Sequence, residues 1–331
     1  MSDTAFMILE VVVKSLVILA IIASLGGLAT YAERKVLAYM QRRIGPTMVG
    51  PGGILQIVAD MIKLFCKEDI IPRNSNRLIF KLAPLITVTA AFSALAAIPF
   101  LPEFTLFGYT IRPILADVGV GVLYVVGCMG ICVYGTLLAG LASYNKFALI
   151  SSARAVVQLL SFEAINSLAL LAVIMLVGSL SLVDINNAQS GSIFKWFIFK
   201  QPLAFVLYYI ATFVESNRTP FCLTENETEL IAGNSTEYSG MRFGIFFIGE
   251  YANMITSSIL LSLVFMGGFN SLWIIPGWIM MFFKTGMFFF VFLWARATFP
   301  HLRPDQVMGL CWKVCLPLAL LNIFITALVV I

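Results

Sequence analysis

"VVQLLSFEAINSLALLAVIMLVGSL", residues 156–180, is 25 residues long and carries one ionisable side chain, Glu163. A helix that is apolar on every side is either buried in a large core or crosses a membrane. About 20 mostly apolar residues suffice to cross the hydrocarbon. Runs of the same kind recur near 9–30, 82–102, 117–140, 200–217, 243–266, 275–296 and 311–331. The chain has 331 residues, of which 60% are hydrophobic and only 11% charged, and its mean hydropathy is +0.96. The sequence predicts an all-α integral membrane protein, a single polytopic domain over 1–331 with eight transmembrane helices. The first run has no basic flank before it and no small-residue cleavage site, so it reads as a retained helix rather than a signal peptide. Pro276 and Pro317 fall inside two of the runs, which a bundled helix tolerates.

The charges set the expected orientation. The connection 31–81 holds nine of the 21 Lys and Arg residues: Arg34, Lys35, Arg42, Arg43, Lys63, Lys67, Arg73, Arg77 and Lys81. Positive charge marks the cytoplasmic or matrix side. Alternation then puts 141–155, 218–242 and 297–310 on that same inner side and both termini outward. The inner regions hold 16 basic residues, and the outer face and spans hold five: Lys14, Arg112, Lys195, Lys200 and Lys284. Within the first connection, about 52–68, Ile54, Leu55, Val58, Met61, Ile62 and Phe65 recur at helical spacing with Asp60, Lys63 and Lys67 opposite them. That pattern predicts an amphipathic helix lying in the membrane interface, between the first and second spans. No internal repeat is visible, which argues against the inverted-repeat plan of many transporters. A net charge of +4 is too small to imply nucleic acid.

The residues that bind redox centres are scarce. His301 is the single histidine, so the chain holds no haem between two of its own histidines and no His-rich metal site. Cys128/Cys132 and Cys311/Cys315 are spaced i, i+4 inside apolar helices, while Cys66 and Cys222 stand alone. All six read as buried apolar filler. No metal site is expected, and any redox centre belongs to a partner.

The intramembrane charges carry the functional signal. A charge at the bilayer centre costs roughly 2.5–3.5 kcal/mol on insertion scales, so such residues face protein or water and often act. Glu163 lies well inside the fourth run, Glu215 at the inner end of the fifth, Glu250 about two turns into the sixth and Lys284 in the middle of the seventh. The three glutamates share the inner half and are expected to form a proton-holding chain, with Arg218 as a counter-charge. The inner loop, about 218–242, adds Glu225, Glu227, Glu229 and Glu237, and Glu33, Arg34, Lys35, Arg42 and Arg43 face it with opposite or mixed charge. A folded rim with acidic and basic walls is expected there. Asn226 and Asn234 spell glycosylation sequons, which an inner location makes coincidental.

"YAERKVLAYMQRRIGP" (31–46), "LQIVADMIKLFCKEDIIP" (55–72), the stretch from Val133 to Glu163, "ESNRTPFCLTENETELIAG" with "EYSGMRF" and "EYANMI" (215–255), and "WARATFPHLRPDQVMGLCWK" (294–313) resemble the H subunit of NADH:quinone oxidoreductase, respiratory complex I. The mitochondrial counterpart is NADH dehydrogenase subunit 1. The resemblance covers almost the whole chain. It implies a membrane subunit under the peripheral arm that lines most of the quinone chamber and starts the charged path coupling quinone reduction to proton pumping. It implies Glu163, Glu215 and Glu250, with the acidic loop and Arg218, as proton-coupling residues. It places Arg34, Arg43, Asp60 and Phe221 near the quinone path, with Cys222 beside them. The expected substrate is ubiquinone or menaquinone. FMN and iron–sulfur clusters are expected in partner subunits, and the expected setting is a bacterial inner membrane or, alternatively, the mitochondrial one. Related subunits of F420-dependent dehydrogenases and membrane hydrogenases share the pattern. A stand-alone proton-coupled transporter and a passive anchor are the readings from other classes.

The sequence departs from the family at several places. Thr47 and Met48 stand where the family reads Asn-Arg, Cys222 where it reads Asp, Thr224 where it reads Pro and Phe162 where it reads Tyr. His301 and Pro304 stand where Arg and Tyr are common.

Overall fold

The computed structural model of the chain describes residues 3–100, 104–106, 109–111, 114–115, 118–222, 232–271 and 275–330. The helices are α1 (Asp3–Met40), α2 (Gln56–Cys66), α3 (Arg77–Ala94), α4 (Gly121–Ala142), α5 (Lys146–Val177), α6 (Leu182–Asn187), α7 (Phe197–Lys200), α8 (Pro202–Glu215), α9 (Gly240–Phe265), α10 (Gly277–Thr298), α11 (Pro304–Leu310) and α12 (Leu316–Val330). A short antiparallel hairpin, β1 (Phe104–Leu106) with β2 (Tyr109–Ile111), joins α3 to α4.

Among the described residues seven helices are long and apolar enough to cross a membrane, counting α11 through α12 as one. The fifth expected run, 200–217, forms the 14-residue α8. At 1.5 Å per residue α8 is about 21 Å long, short of a full hydrocarbon crossing. Its start is set by Pro202 at the first helical position and by non-helical Gln201, which separates it from α7.

Several other bounds differ from expectation for local reasons. The expected connection 31–81 begins inside α1, because "TYAERKVLAYM" is rich in helix formers and the next breakers are Gly45 and Pro46. The expected connection 141–155 shrinks to Ser143, Tyr144 and Asn145, since Asn145 Oδ1 accepts from Phe147 N at 3.0 Å and caps α5. Gly178, at φ 75°, ends that helix. Pro276 does not interrupt a span; it is the N-cap of α10. Pro317 follows a π-helical segment, Cys311–Cys315, that joins α11 to α12. A proline removes the N–H its helix would use, and a wider turn just before it absorbs the mismatch.

Small residues let the helices approach. Ala83, Ala90, Ala91 and Ala94 of α3 and Ala139 and Ala142 of α4 are fully or almost fully buried, as expected where helices pack without a hydrophobic drive from water. The main core gathers α4, α5, α8, α9 and α10, and α9 is its axis, with every residue from Thr256 to Phe265 buried. Alternating chain direction puts the ends of α1, α4, α8 and α10 and the starts of α3, α5, α9 and α11 at one end of the bundle. That end carries most of the charge and is called the charged end below.

Candidate functional site

Glu33 is the centre of the charged end. Gly26, Ala29 and Glu33 are buried on α1 at i, i+3 and i+7, so the carboxylate continues the stripe that α1 presents to the bundle. Its Oε2 accepts from the Tyr251 hydroxyl at 2.7 Å, and its Oε1 pairs with Arg296 and lies 3.6 Å from Arg218 Nη1. Arg218 reaches on to Glu250, with Nη2 3.9 Å from Oε2, and its guanidinium lies 4.6 Å from the centre of the Tyr251 ring. Two carboxylates and two guanidiniums thus balance, with Glu33 and Arg218 buried and Glu250 and Arg296 partly exposed at the edges. An isolated charge there would be strongly unfavourable, and the balance plus the hydrogen bond and cation–π contact is what makes the group tolerable.

Beyond Glu250 the polar residues continue inward. A cavity of about 20 Å³ is lined by Glu250 and Asn253 of α9, Glu215 at the end of α8 with Ser216 and Asn217 after it, Thr87 of α3, and Cys132 and Thr136 of α4. That is about the room one water molecule needs, among groups able to bind it. Asn166 Nδ2 on α5 donates to Glu215 Oε2 at 3.0 Å. Glu163 lies three residues before Asn166 on the same face of α5. Its carboxyl occupies space that a side chain at residue 130 would take: a Cβ on Gly130 of α4 would collide with Glu163 Oε1. The order Arg296, Glu33, Arg218, Glu250, cavity, Glu215, Asn166, Glu163 is therefore a nearly continuous run of charged and polar groups through the bundle.

The second feature is a slot between α1 and α2. Gly27, Tyr31 and Arg34, at i, i+4 and i+7, form a face of α1 next to the buried stripe. A Cβ on Gly27 would lie 2.8 Å from Ile57 Cγ2, Tyr31 donates to Gly52 O at 2.8 Å, and Arg34 Nη1 meets Asp60 Oδ2 at 2.5 Å. Gln56 Nε2 holds the other Asp60 oxygen at 2.9 Å. Val58, Met61, Ile62 and Phe65 stay exposed, so the apolar face of α2 turns away from this chain. The far end of α2 rests on α9, where a Cβ on Gly244 would lie 2.9 Å from Leu64 Cδ1.

The described part of the rim, 232–242, is held by side-chain contacts. Arg242 pairs with Asp69 at 2.9 Å and lies over Phe80, which stacks on Tyr238 at 4.1 Å and 3°. Burial pushes the Tyr238 phenol above its usual range. Glu237 accepts from Asn145 Nδ2 at 2.9 Å, so the residue that caps α5 also anchors the acidic loop. Glu225, Glu227 and Glu229 lie outside the described residues.

The structure thus joins Glu215 and Glu250 across one cavity, Arg218 to Glu250, and Arg34 to Asp60. Phe221 packs near Phe162, ring centres 6.3 Å apart, and its carbonyl accepts from Gln158 Nε2 at 2.8 Å. Cys222 beside it is buried. Arg43 is not part of the Arg34–Asp60 slot; it lines an open groove of about 1030 Å³ with Lys35, Arg42, Tyr39 and Phe290. Cys66, read as buried filler, is exposed on the last turn of α2. Glu33, Arg296, Tyr251 and Asn166 were not singled out as site residues from the sequence. The signal for Glu33 was present: it falls in register with Gly26 and Ala29, on a different face from Arg34. Nothing in the sequence alone pairs it with Arg296, 263 residues away.

Comparison with known proteins identifies the family. The model of a family described as NADH dehydrogenase matches residues 13–327. The chain is 69% identical over 331 residues to the NADH-quinone oxidoreductase H subunit of Campylobacter curvus, covering all of both chains. It is 63% identical over 331 residues to the H subunit of Campylobacter hominis, again covering all of both. With an H subunit of Campylobacter jejuni it shares 63% over 330 residues, 100% of this chain and 99% of the relative. The chain belongs to the NADH dehydrogenase family, among the H subunits of NADH-quinone oxidoreductase.

Proposed function

We propose that this chain forms much of the quinone-binding chamber of a proton-pumping complex I, where the membrane domain meets the peripheral arm, and starts the path that couples quinone reduction to proton movement. The observation that carries the reading is the run from Glu33 through Arg218, Glu250 and Glu215 to Glu163. A carboxyl can hold a proton and pass it through a bridging water, and a mobile guanidinium changes which carboxyl is neutralised. Arg218 between Glu33 and Glu250 is placed for that exchange. Quinone, whether ubiquinone or menaquinone, is a polar head on an apolar tail. The α1–α2 slot supplies Arg34 and Asp60 for the head, and the exposed apolar face of α2 lies at the membrane interface beside the tail. Phe221, Cys222 and Arg43 complete the proposed chamber with the partner subunits of the peripheral arm, which hold the FMN and iron–sulfur clusters. In this reading the protein sits in the bacterial inner membrane with the charged end inside, both termini outside and α8 as an eighth, short crossing. Glu225, Glu227, Glu229 and Glu237 belong to the mouth of the path.

The deciding experiment is Glu215→Gln, with Glu163→Gln beside it, in the assembled complex in liposomes. Lost proton pumping and reduced quinone reductase activity with intact assembly are expected. Unchanged values of both leave only an anchoring role.

A further inference from the structure

Lys284 takes no part in the path above, yet it is a cation 3% exposed, about 10 Å into α10 at the end of the bundle opposite the charged end. Its ammonium donates to Met266 O at 2.6 Å and Gly268 O at 3.1 Å, and lies 4.4 Å from the centre of a Trp196 ring. Among the described residues no carboxylate pairs with it. The two carbonyls follow the C-terminus of α9, where the helix dipole is negative. Carbonyl oxygens, a negative dipole end and an indole face in a dry setting make a cation site. Here the chain fills that site with its own ammonium.

The surroundings fix this arrangement. Gln189 Nε2 donates to Leu263 O and Val264 O, each at 3.0 Å, and its Oε1 accepts from Phe197 N at 3.3 Å. Asn270 Nδ2 donates to Asn186 O at 2.7 Å. Phe205, Tyr208 and Phe265 form an aromatic group in the same half of the bundle, with Phe265 5.5 Å from Phe205 and 5.6 Å from Tyr208, centre to centre. An excess proton leaving the carboxylates toward this end would pass the buried hydroxyls of Thr256, Ser257, Ser258 and Ser262 on α9 and then meet a fixed positive charge. Fixed cations of this kind exclude protons from other membrane pores.

We propose that Lys284 is a tethered cation that occupies the carbonyl-and-indole site at the end of α9 and closes the carboxylate path at that end, so that protons leave this chain sideways rather than through it. This rests on the proton-path reading above. The test is passive proton leak through the whole complex in liposomes, driven by an imposed potential, with a quinone-site inhibitor present and no NADH. Lys284→Met keeps an unbranched chain of similar length and removes the charge. Leak is expected to rise roughly tenfold, the change produced by lowering a barrier by about 1.4 kcal/mol. Lys284→Arg is expected to stay tight. The Lys284→Met, Glu215→Gln double variant is expected to lose the extra leak, because its route runs through Glu215. If Lys284→Met does not assemble, Trp196→Leu, which strips one wall and keeps the ammonium, is expected to show a smaller rise. An assembled Lys284→Met complex as tight as the parent overturns the seal, and so does a tight Trp196→Leu complex where Lys284→Met does not assemble. Retained pumping in Glu215→Gln overturns the path instead, so the two failures are distinguishable.

Discussion

Tyr251 on α9 donates its hydroxyl to Glu33 on α1 at 2.7 Å while its ring lies under Arg218. One side chain thus serves both signs of a buried charge group. Tyr251→Phe keeps the ring and deletes the hydrogen bond. A hydrogen bond to a charged group contributes about 1.5–3 kcal/mol, so the variant is expected to assemble, to melt earlier, and to lose several-fold in quinone reductase rate. Thermal unfolding of the purified complex and its turnover check the two parts separately.

Glu33 and Arg296 are expected to fail separately more than together. Glu33 is buried while Arg296 is 34% exposed, so losing Arg296 is expected to cost less than breaking a fully buried pair, and losing Glu33 leaves the buried Arg218 short of a carboxylate. Glu33→Gln leaves Arg218 and Arg296 with one carboxylate fewer, and Arg296→Met leaves Glu33 with one cation fewer. In the Glu33→Gln, Arg296→Met double variant the charge balance returns. Its assembly yield is expected to exceed that of the worse single variant, and the double-mutant cycle to be clearly non-additive. Additive losses would mean that the pair carries no coupling.

Gly130→Ala tests whether Glu163 needs its present place. The added methyl meets the Glu163 carboxyl rather than backbone. Assembly is expected to change little, because the carboxyl is the end of a flexible side chain. Pumping is expected to fall with it, in the same direction as Glu163→Gln, when both are measured in liposomes. Normal pumping in Gly130→Ala would show that the carboxyl works from more than one position.

Arg34 and Asp60 make a pair whose side chains are 52% and 31% exposed. Exposed pairs contribute about 0–1 kcal/mol to stability. Arg34→Ala is therefore expected to leave the melting temperature nearly unchanged. A rise in KM for a short-chain quinone, with assembly unaltered, is the expected sign of its place in the slot. An unchanged KM removes Arg34 from the chamber.

The bundle was legible in the sequence because apolar length is a one-dimensional signal. Runs such as 156–180 announce a span wherever they pack. Helix ends were less legible. They depended on single residues acting locally, such as Asn145 capping α5 or Pro276 capping α10, and charged residues at the start of α5 looked like loop although they fit a helix well. At the site, Glu163, Glu215 and Glu250 stood out because a carboxylate is conspicuous in an apolar run. Glu33 and Arg296 did not, since each sits at a span end among other charges, where topology alone explains it. Their pairing is a property of helix packing. Arg43 shows the converse: it shares a charged stretch with Arg34, but the chain leaves the helix at Met40 and carries it into another groove.

α1 is one uninterrupted helix of 38 residues, with Glu33 and the Tyr31–Arg34 face set near one end. Each residue turns a helix by about 100° and advances it by about 1.5 Å. Losing Thr30, between the packed Gly26–Ala29 turn and the charged residues, would leave hydropathy almost unchanged, yet with that turn held in place it would swing Glu33 away from Arg296 and turn Arg34 off Asp60 together. Two faces with different jobs are thus locked to a single rotational phase. Lipid-facing residues of α1 can be exchanged for other apolar ones, but between Gly26 and Arg34 residues cannot be added or removed singly, so substitution is cheap on the outer face and a change of length in that turn is not.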